Sequence, residues 1–150
     1  MPPTLPHLTH TPPGNMENNT RLHTLQENAL PVIERRIKDL LDTNHAVPVL
    51  LDWPSLSQAR EKEIRALLLY LERVLDNLEW LGYDEVSRKL LTNRLTAIRL
   101  RHVSNSLENS VNLINGNLIT IANFSEPEEL PSAIEIRRIL SKGLSFPIDG

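Results

Sequence analysis

The stretch Ser55–Gly82, SLSQAREKEIRALLLYLERVLDNLEWLG, decides the fold class that we expect for this chain. Its apolar residues recur in steps of three and four, which is the spacing of one face of an amphipathic helix: Ala59, Ile64, Leu67, Leu68, Leu71, Val74, Leu75, Leu78 and Leu81. Ser55 and Gln58 have the spacing of a capping box, and Gly82 is a common helix terminator. The sequence therefore predicts a helix over 55–81, roughly 40 Å long.

A second long helix is expected directly after this one. Asp84 is a good N-cap residue, and apolar residues at helical spacing continue until Gly116: Val86, Leu90, Leu91, Leu95, Ile98, Leu100, Val103, Leu107, Val111 and Ile114. This pattern predicts a helix over 84–115, roughly 46 Å long. Because only Gly82 and Tyr83 separate the two helices, they would form a long antiparallel hairpin.

The chain before the hairpin contains a shorter helical pattern and an apolar connector. The helical pattern extends from about residue 20 to residue 42, and Pro31 is best placed at the first position of its firmer, second part. The connector, residues 46–54, has the sequence AVPVLLDWP and is too rich in proline for a helix. We expect it to be extended and to pack the side chains of Val49, Leu50, Leu51 and Trp53 on the helices.

The chain after the hairpin contains one strand-like segment and one further helix. Residues 118–124 are rich in β-branched residues, and the only obvious partner for such a strand is the connector around Val49. Ser132 and Glu135 form a capping box that begins a short C-terminal helix. We therefore expect an all-α protein, an elongated helical bundle in which the hairpin of 55–81 and 84–115 is braced by an N-terminal and a C-terminal helix.

The composition indicates one domain with two tails. Residues 1–16 hold five of the eleven prolines in the chain and predict a disordered, proline-rich tail. Residues 17–143 would form the helical bundle domain, and residues 144–150 a C-terminal tail. The N-terminus lacks the pattern of a signal peptide, and no apolar stretch is long enough to span a membrane. These features predict a soluble, cytoplasmic protein.

The residues that carry most enzyme chemistry are sparse. The chain has no cysteine, which excludes disulfides, cysteine-based zinc sites and thiol nucleophiles. It has no nucleophile elbow, phosphate-binding loop or dinucleotide fingerprint. His7 and His10 have a spacing suited to a metal but lie in the proline-rich tail, and His102 is expected at the surface beside two arginines. We therefore predict no catalytic, cofactor-binding or metal-ligating residue and expect no enzyme.

The second predicted helix carries a basic group of residues: Arg88, Arg94, Arg99 and Arg101. On a helix these side chains would form a broad, discontinuous band without aromatic residues for base stacking. The net charge of the chain is −3, whereas a nucleic-acid-binding domain usually has a basic excess. An acidic protein surface, or pairing with acidic residues of the preceding helix, is therefore favoured over nucleic acid as the partner of this band.

A narrow apolar seam follows on the same predicted helix, formed by Val103, Leu107, Val111 and Ile114. A narrow seam on an otherwise polar helix is typical of a coiled coil. Two interpretations are open, because the seam could contact a partner chain or another helix of the same chain. The function expected from these features is a non-catalytic protein–protein interaction module, either a self-assembling oligomer or a subunit of a larger complex. The alternative is a helical nucleic-acid-binding or regulatory protein that uses the basic residues.

Overall fold

The computed structural model describes residues 20–41 and 46–145 of the chain. The helices used below are α1 (Leu30–Leu41), α2 (Glu61–Leu81), α3 (Glu85–Arg94) and α4 (Ala133–Gly143). The strands are β1 (Val49–Leu51), β2 (Ala97–His102), β3 (Ser110–Ile114) and β4 (Asn117–Ala122). Short 3-10 turns occupy Trp53–Leu56, Ser106–Glu108 and Pro127–Glu129.

The prediction of an all-α helical bundle is wrong, because the fold is mixed α/β. The helix expected over 84–115 ends at Arg94, and the chain beyond it forms three strands. Along β2 the buried residues Ile98 and Leu100 alternate with the exposed Arg99 and Arg101. An alternation of this kind is the two-residue period of a strand and not the period of a helix.

The turn between β3 and β4 explains why Gly116 was mistaken for the end of a helix. Asn115 and Gly116 have positive φ angles, 51° and 80°, as a two-residue hairpin turn of the Asn-Gly type requires. The turn joins β3 to β4 in an antiparallel pair in which Ile114 lies opposite Asn117. A glycine that could end a helix therefore closes a hairpin.

The four strands form one mixed sheet in the order β1-β2-β4-β3. β1 is parallel to β2, β2 is parallel to β4, and only β3 is antiparallel to its neighbour. The segment 118–124 does contain a strand, but its partners are β2 and β3 and not the connector. The connector contributes β1, in which Val49 and Leu51 are buried and Leu50 is exposed.

The local signals at the ends of several helices predicted the structure correctly. α2 ends at Leu81, Asp84 accepts a hydrogen bond from the Ser87 N–H at 2.7 Å, and Ser132 accepts one from the Glu135 N–H at 3.1 Å. α2 begins at Glu61 and not at the predicted Ser55, which lies in the 3-10 turn Trp53–Leu56. At the start of α2, Glu63 accepts a hydrogen bond from the Arg60 N–H at 2.7 Å.

The N-terminal helix passes Pro31 without a break. A π-helical turn, Leu25–Ala29, precedes α1, and the N–H of Leu30 donates to the carbonyl of Leu25. This wider turn accommodates a proline that would clash with the carbonyl one ordinary turn back. The predicted tail 1–16 and residues 146–150 of the predicted tail 144–150 lie outside the described residues. None of the helices in the described ranges is long and apolar enough to cross a membrane.

The helices and the sheet share one apolar core, in which Tyr70 of α2 occupies a central position. Tyr70 is almost fully buried, and its ring packs edge-on against Phe124 with the ring centroids 6.1 Å apart. Its hydroxyl lies 2.8 Å from the Thr120 hydroxyl of β4, which is also buried. Burial raises the pKa of Tyr70 to about 12. The phenol is therefore neutral, and its hydrogen bond to Thr120 links α2 to the sheet.

The outer edge of β1 is protected by a side chain. Glu34 of α1 accepts a hydrogen bond from the Val49 N–H at 2.7 Å. An exposed strand edge otherwise presents its N–H and carbonyl groups to strands of other chains. α1 thus occupies one backbone donor of this edge and also covers part of the core.

The hydrogen bond between Tyr70 and Thr120 leads to a stability prediction. Tyr70→Phe leaves the buried Thr120 hydroxyl without its partner, and we expect the free energy of unfolding to fall by about 1–3 kcal/mol. The double variant Tyr70→Phe/Thr120→Val removes both polar groups at similar volume and should recover most of this loss. Urea unfolding measures both values. A double variant that is no more stable than Tyr70→Phe would contradict the assigned hydrogen bond.

The hairpin turn leads to a second prediction. A Cβ atom at Gly116 would lie 2.5 Å from the Arg94 carbonyl oxygen and 2.5 Å from the Thr96 hydroxyl, and φ is positive there. We expect Gly116→Ala to lower the free energy of unfolding by about 1–3 kcal/mol, because both strain and close contact oppose it. Asn115→Gly is the control, since glycine accepts the same backbone conformation. Equal stability of Gly116→Ala and the wild type in urea unfolding would refute this account of the turn.

Candidate functional site

The sheet has one face covered by helices and one face that is open. The side chains of β2 and β4 that point toward the helices are buried, among them Ile98, Leu100 and Leu118. The intervening residues point to the opposite side, where no helix of residues 20–41 and 46–145 covers them. We call this side the open face and define it by Leu50, Arg99, Arg101, Asn112, Ile119 and Ile121.

The register of the strands sets these residues in two rows across the sheet. In the first row, Leu50 of β1 lies beside Arg99 of β2, Arg99 beside Ile119 of β4, and Ile119 beside Asn112 of β3. In the second row, Arg101 lies beside Ile121. Neighbouring strands are about 4.8 Å apart, so Arg99 lies between two apolar side chains, and Arg101 lies between Ile121 and Asp52.

A groove of about 400 Å³ follows this arrangement. It is lined by members of the open face from three strands, and by Asp52, which follows β1. Leu50 is 39% exposed, whereas Ile119 and Ile121 are only partly exposed. The groove therefore combines apolar walls with two cations and one carboxylate.

The two arginines are held by single contacts. Arg99 donates from Nε to the Asn117 Oδ1 at 3.0 Å. Arg101 Nε lies 3.7 Å from Asp52 Oδ2 in an ion pair whose side chains are 60% and 41% exposed. The Arg99 contact uses one of the five N–H donors of its guanidinium, and the Arg101 ion pair is too long for a hydrogen bond. Both exposed guanidinium groups therefore have donors that could pair with carboxylates.

The structure divides the predicted basic residues into two pairs. Arg88 and Arg94 lie on α3, where Arg88 donates to the Gly82 carbonyl at 3.2 Å and Arg94 to the Leu144 carbonyl at 2.5 Å. These hydrogen bonds connect chain segments within the fold. Arg99 and Arg101 lie on β2 and share the open face. The four residues therefore do not form one band along a helix.

The predicted coiled coil is also absent from this part of the described chain, because its residues lie on strands and turns. Val111 of β3 is buried in the core, and Val103 is partly buried just after β2. Leu107 is 92% exposed in the 3-10 turn Ser106–Glu108. Ile114 is exposed at the end of β3 and points to the same side of the sheet as Asn112 of the open face. The four residues do not line one seam.

A polar cluster that the sequence did not reveal lies where α2 meets the end of β4. Ser125 donates its hydroxyl proton to Glu63 at 2.9 Å, and the same carboxylate accepts from the Arg60 N–H. Burial acts to raise the pKa of Glu63, but these two hydrogen bonds, together with the Glu63 N–H and the nearby His102, outweigh it, so the pKa lies below the ordinary value. Because Ser125 donates to a carboxylate and not to an imidazole, the cluster differs from an activated serine nucleophile.

His102 was expected at the surface but is partly buried beside this cluster. Its Nδ1 accepts a hydrogen bond from the Phe124 N–H at 3.2 Å, and its ring lies 5.9 Å from the Phe124 ring. Burial lowers the pKa of His102, and the negative charge of Glu63 offsets only part of this effect. His102 therefore acts as a neutral acceptor that holds the end of β4.

In the ranges that the structure describes, no three His, Asp or Glu side chains come together as a metal site would require. His7 and His10 lie outside these ranges. Comparison of the chain with protein-family models, with curated proteins and with solved structures found no match. The open face is thus the feature of the described residues on which we base a function.

The buried imidazole leads to a prediction about pH. Because the pKa of His102 is lower in the folded than in the unfolded chain, the unfolded state binds more protons once the pH falls below about 6.5. The free energy of unfolding should therefore decrease as the pH falls from 7.5 toward the folded pKa. His102→Asn keeps an acceptor for the Phe124 N–H but cannot titrate, so this part of the decrease should disappear.

Urea unfolding between pH 7.5 and pH 5 measures the slope for the wild type, His102→Asn and the control His23→Asn at an exposed position. Glu63 acts in the same direction but at lower pH, since its pKa lies below 4.5. The same slope for His102→Asn as for the wild type would show that His102 does not titrate with unfolding as stated.

Proposed function

We propose that this protein is a non-catalytic protein–protein interaction module and that its open face binds the partner. The observation that carries the proposal is a sheet face that the helices of residues 20–41 and 46–145 leave uncovered, on which Arg99 lies between Leu50 and Ile119, and Arg101 beside Ile121. Arginine is enriched at protein interfaces, and the buried centre of an interface is more apolar than the rest of the surface. The groove lies on a sheet face that no second layer of the described residues encloses, which favours a macromolecular surface over a small molecule.

The charges on the open face favour a different protein over a second copy of this chain. In a twofold dimer formed through this face, the same patch would lie on both sides of the interface. Four arginines would then meet only two Asp52 carboxylates in one interface, and this excess of positive charge is unfavourable. A partner with carboxylates at matching positions would instead pair with both arginines. We therefore favour a subunit or adaptor of a larger complex over a homo-oligomer.

The same face supports nucleic acid less well. It offers two cations beside the carboxylate of Asp52, whereas binding to a phosphate backbone is usually supported by several basic side chains. Its apolar members are leucine and isoleucine, which provide no aromatic surface for stacking bases. The net charge of −3 also opposes long-range attraction to a polyanion. Nucleic acid therefore remains an outcome for the experiment to detect.

Site-specific photocrosslinking tests the proposal. A photoreactive residue is placed at Ile119 on the open face, or at the exposed Ile134 of α4 as a control, in the full chain expressed in its source cells. We expect an adduct with one identified protein from position 119 and none from position 134. A third position, Leu107, examines the surface of the 3-10 turn.

A charge-reversed variant then shows whether the arginines are responsible. In a reconstituted mixture with the purified partner, Arg99→Glu/Arg101→Glu should weaken binding at least tenfold in calorimetry. Arg65→Glu/Lys89→Glu changes the net charge equally, at exposed residues of α2 and α3, and should bind as the wild type does. Circular dichroism confirms that each variant is folded.

Several results would contradict the proposal. An adduct with a second copy of the chain, or an adduct that nuclease removes, would replace the partner protein by self-assembly or by nucleic acid. Adducts only at position 107 or 134 would show that the interface lies outside the open face. Equal binding by both charge-reversed variants would show that Arg99 and Arg101 do not contribute to it.

A further inference from the structure

The directions of the strands indicate that a helical layer would usually cover the open face. β1, β2 and β4 are parallel to one another and β3 is an antiparallel edge strand, an arrangement found in many sheets that have helices on both faces. Here the helices of residues 20–41 and 46–145 cover one face, and the groove follows the other. The layer that would complete the usual arrangement is therefore a helix on the open face.

The dimensions of the open face match one helix. Leu50 of β1 and Ile119 of β4 lie on the strands to either side of Arg99, and β1 and β4 are therefore about 10 Å apart. A helix with its side chains is about 10–12 Å wide. One helix placed along β2 would therefore contact both apolar walls and lie over the two arginines.

The spacing of the arginines also suits a helix. Residues two apart on a strand, such as Arg99 and Arg101, are separated by about 6.6 Å along it. Helix residues at i and i+4 are separated by about 6 Å along the axis and share one face. Two carboxylates at this helical spacing could each pair with one arginine, while apolar residues on both sides of them contact Leu50, Ile119 and Ile121.

A strand is a less suitable occupant. Peptides that bind as strands add to the edge of a sheet through backbone hydrogen bonds. At the β1 edge, the outward N–H of Val49 already donates to Glu34 at 2.7 Å. The open face itself offers side chains, because the backbone groups of its inner strands are paired within the sheet.

We infer that the open face binds an amphipathic, acidic α-helix of a partner protein, and that this helix supplies the missing second layer on the sheet. The inference rests on the proposed function, since it names the kind of partner that the open face takes. The specificity of binding comes from carboxylates paired with Arg99 and Arg101, and most of the buried area comes from apolar contacts with Leu50, Ile119 and Ile121.

Selection from two peptide libraries tests the inference. One library has an apolar pattern of helical period and the other an alternating pattern of period two, at equal length and with equal acidic content. Both are selected on the full-length chain. We expect binders from the helical library with Asp or Glu at i and i+4 and Leu or Ile beside them. Circular dichroism of the bound peptide should show a helix.

A charge swap makes the test specific. Selected peptides should bind Arg99→Glu/Arg101→Glu at least tenfold more weakly, and binding to this variant should return when their two acidic residues are replaced by lysine. Binding to Arg65→Glu/Lys89→Glu should stay unchanged. Where the charge-reversed variant does not fold, Arg99→Gln/Arg101→Gln replaces it, with a weakening of at least fivefold expected.

The outcomes separate this inference from the proposed function. Binders that depend on Arg99 and Arg101 but come from the alternating library would overturn the helix while the open face remains an interface. Binders indifferent to both arginines, or the absence of binders from both libraries, would overturn the helix as well. In those cases the crosslinks from Ile119 decide whether the interaction module itself stands.

Discussion

The alternation of apolar and charged residues along β2 is the constraint on which this fold depends. Ile98 and Leu100 point into the core, and Arg99 and Arg101 point away from it. A slip of one residue in register would exchange the two faces of β2 and place both guanidinium groups in the core. The desolvation penalty for an unpaired charge there is on the order of several kcal/mol. The helices must therefore pack on the side of the sheet to which Ile98 and Leu100 point. The same requirement determines which side of the sheet remains open and what chemistry it presents.

The parts of the fold that could be predicted depend on signals within a few residues of one another. Asp84 and Ser132 begin helices because their side chains accept hydrogen bonds from N–H groups three residues later. The strands depend on partners far away in the sequence, such as Ile98 beside Leu118, and the helical spacing of leucines in α3 was extended too far into them. The turn at Gly116 did have a local signal. Asn-Gly between apolar segments indicates a hairpin, but a glycine after a helical pattern indicates a helix end equally well.

The candidate site was predictable in its residue types but not in its geometry. Arg99 and Arg101 could be identified as basic residues near one another in the chain. On a helix, residues two apart point about 200° away from each other, whereas on a strand they share a face. The apolar members of the site come from other strands, so no sequence pattern joins Leu50 to Ile119. The polar contacts of Glu63 and His102 were hidden for the same reason, since they link residues that only the folded chain brings together.

The hydrogen bond from Val49 to Glu34 has a consequence for how copies of this chain could join. A sheet with two free edges can add copies at both ends without limit, which is how fibres grow. Here the Glu34 carboxylate of α1 occupies one outward donor of the β1 edge, the Val49 N–H. A second copy that approached this edge would have to displace the glutamate before its own backbone could pair at that position.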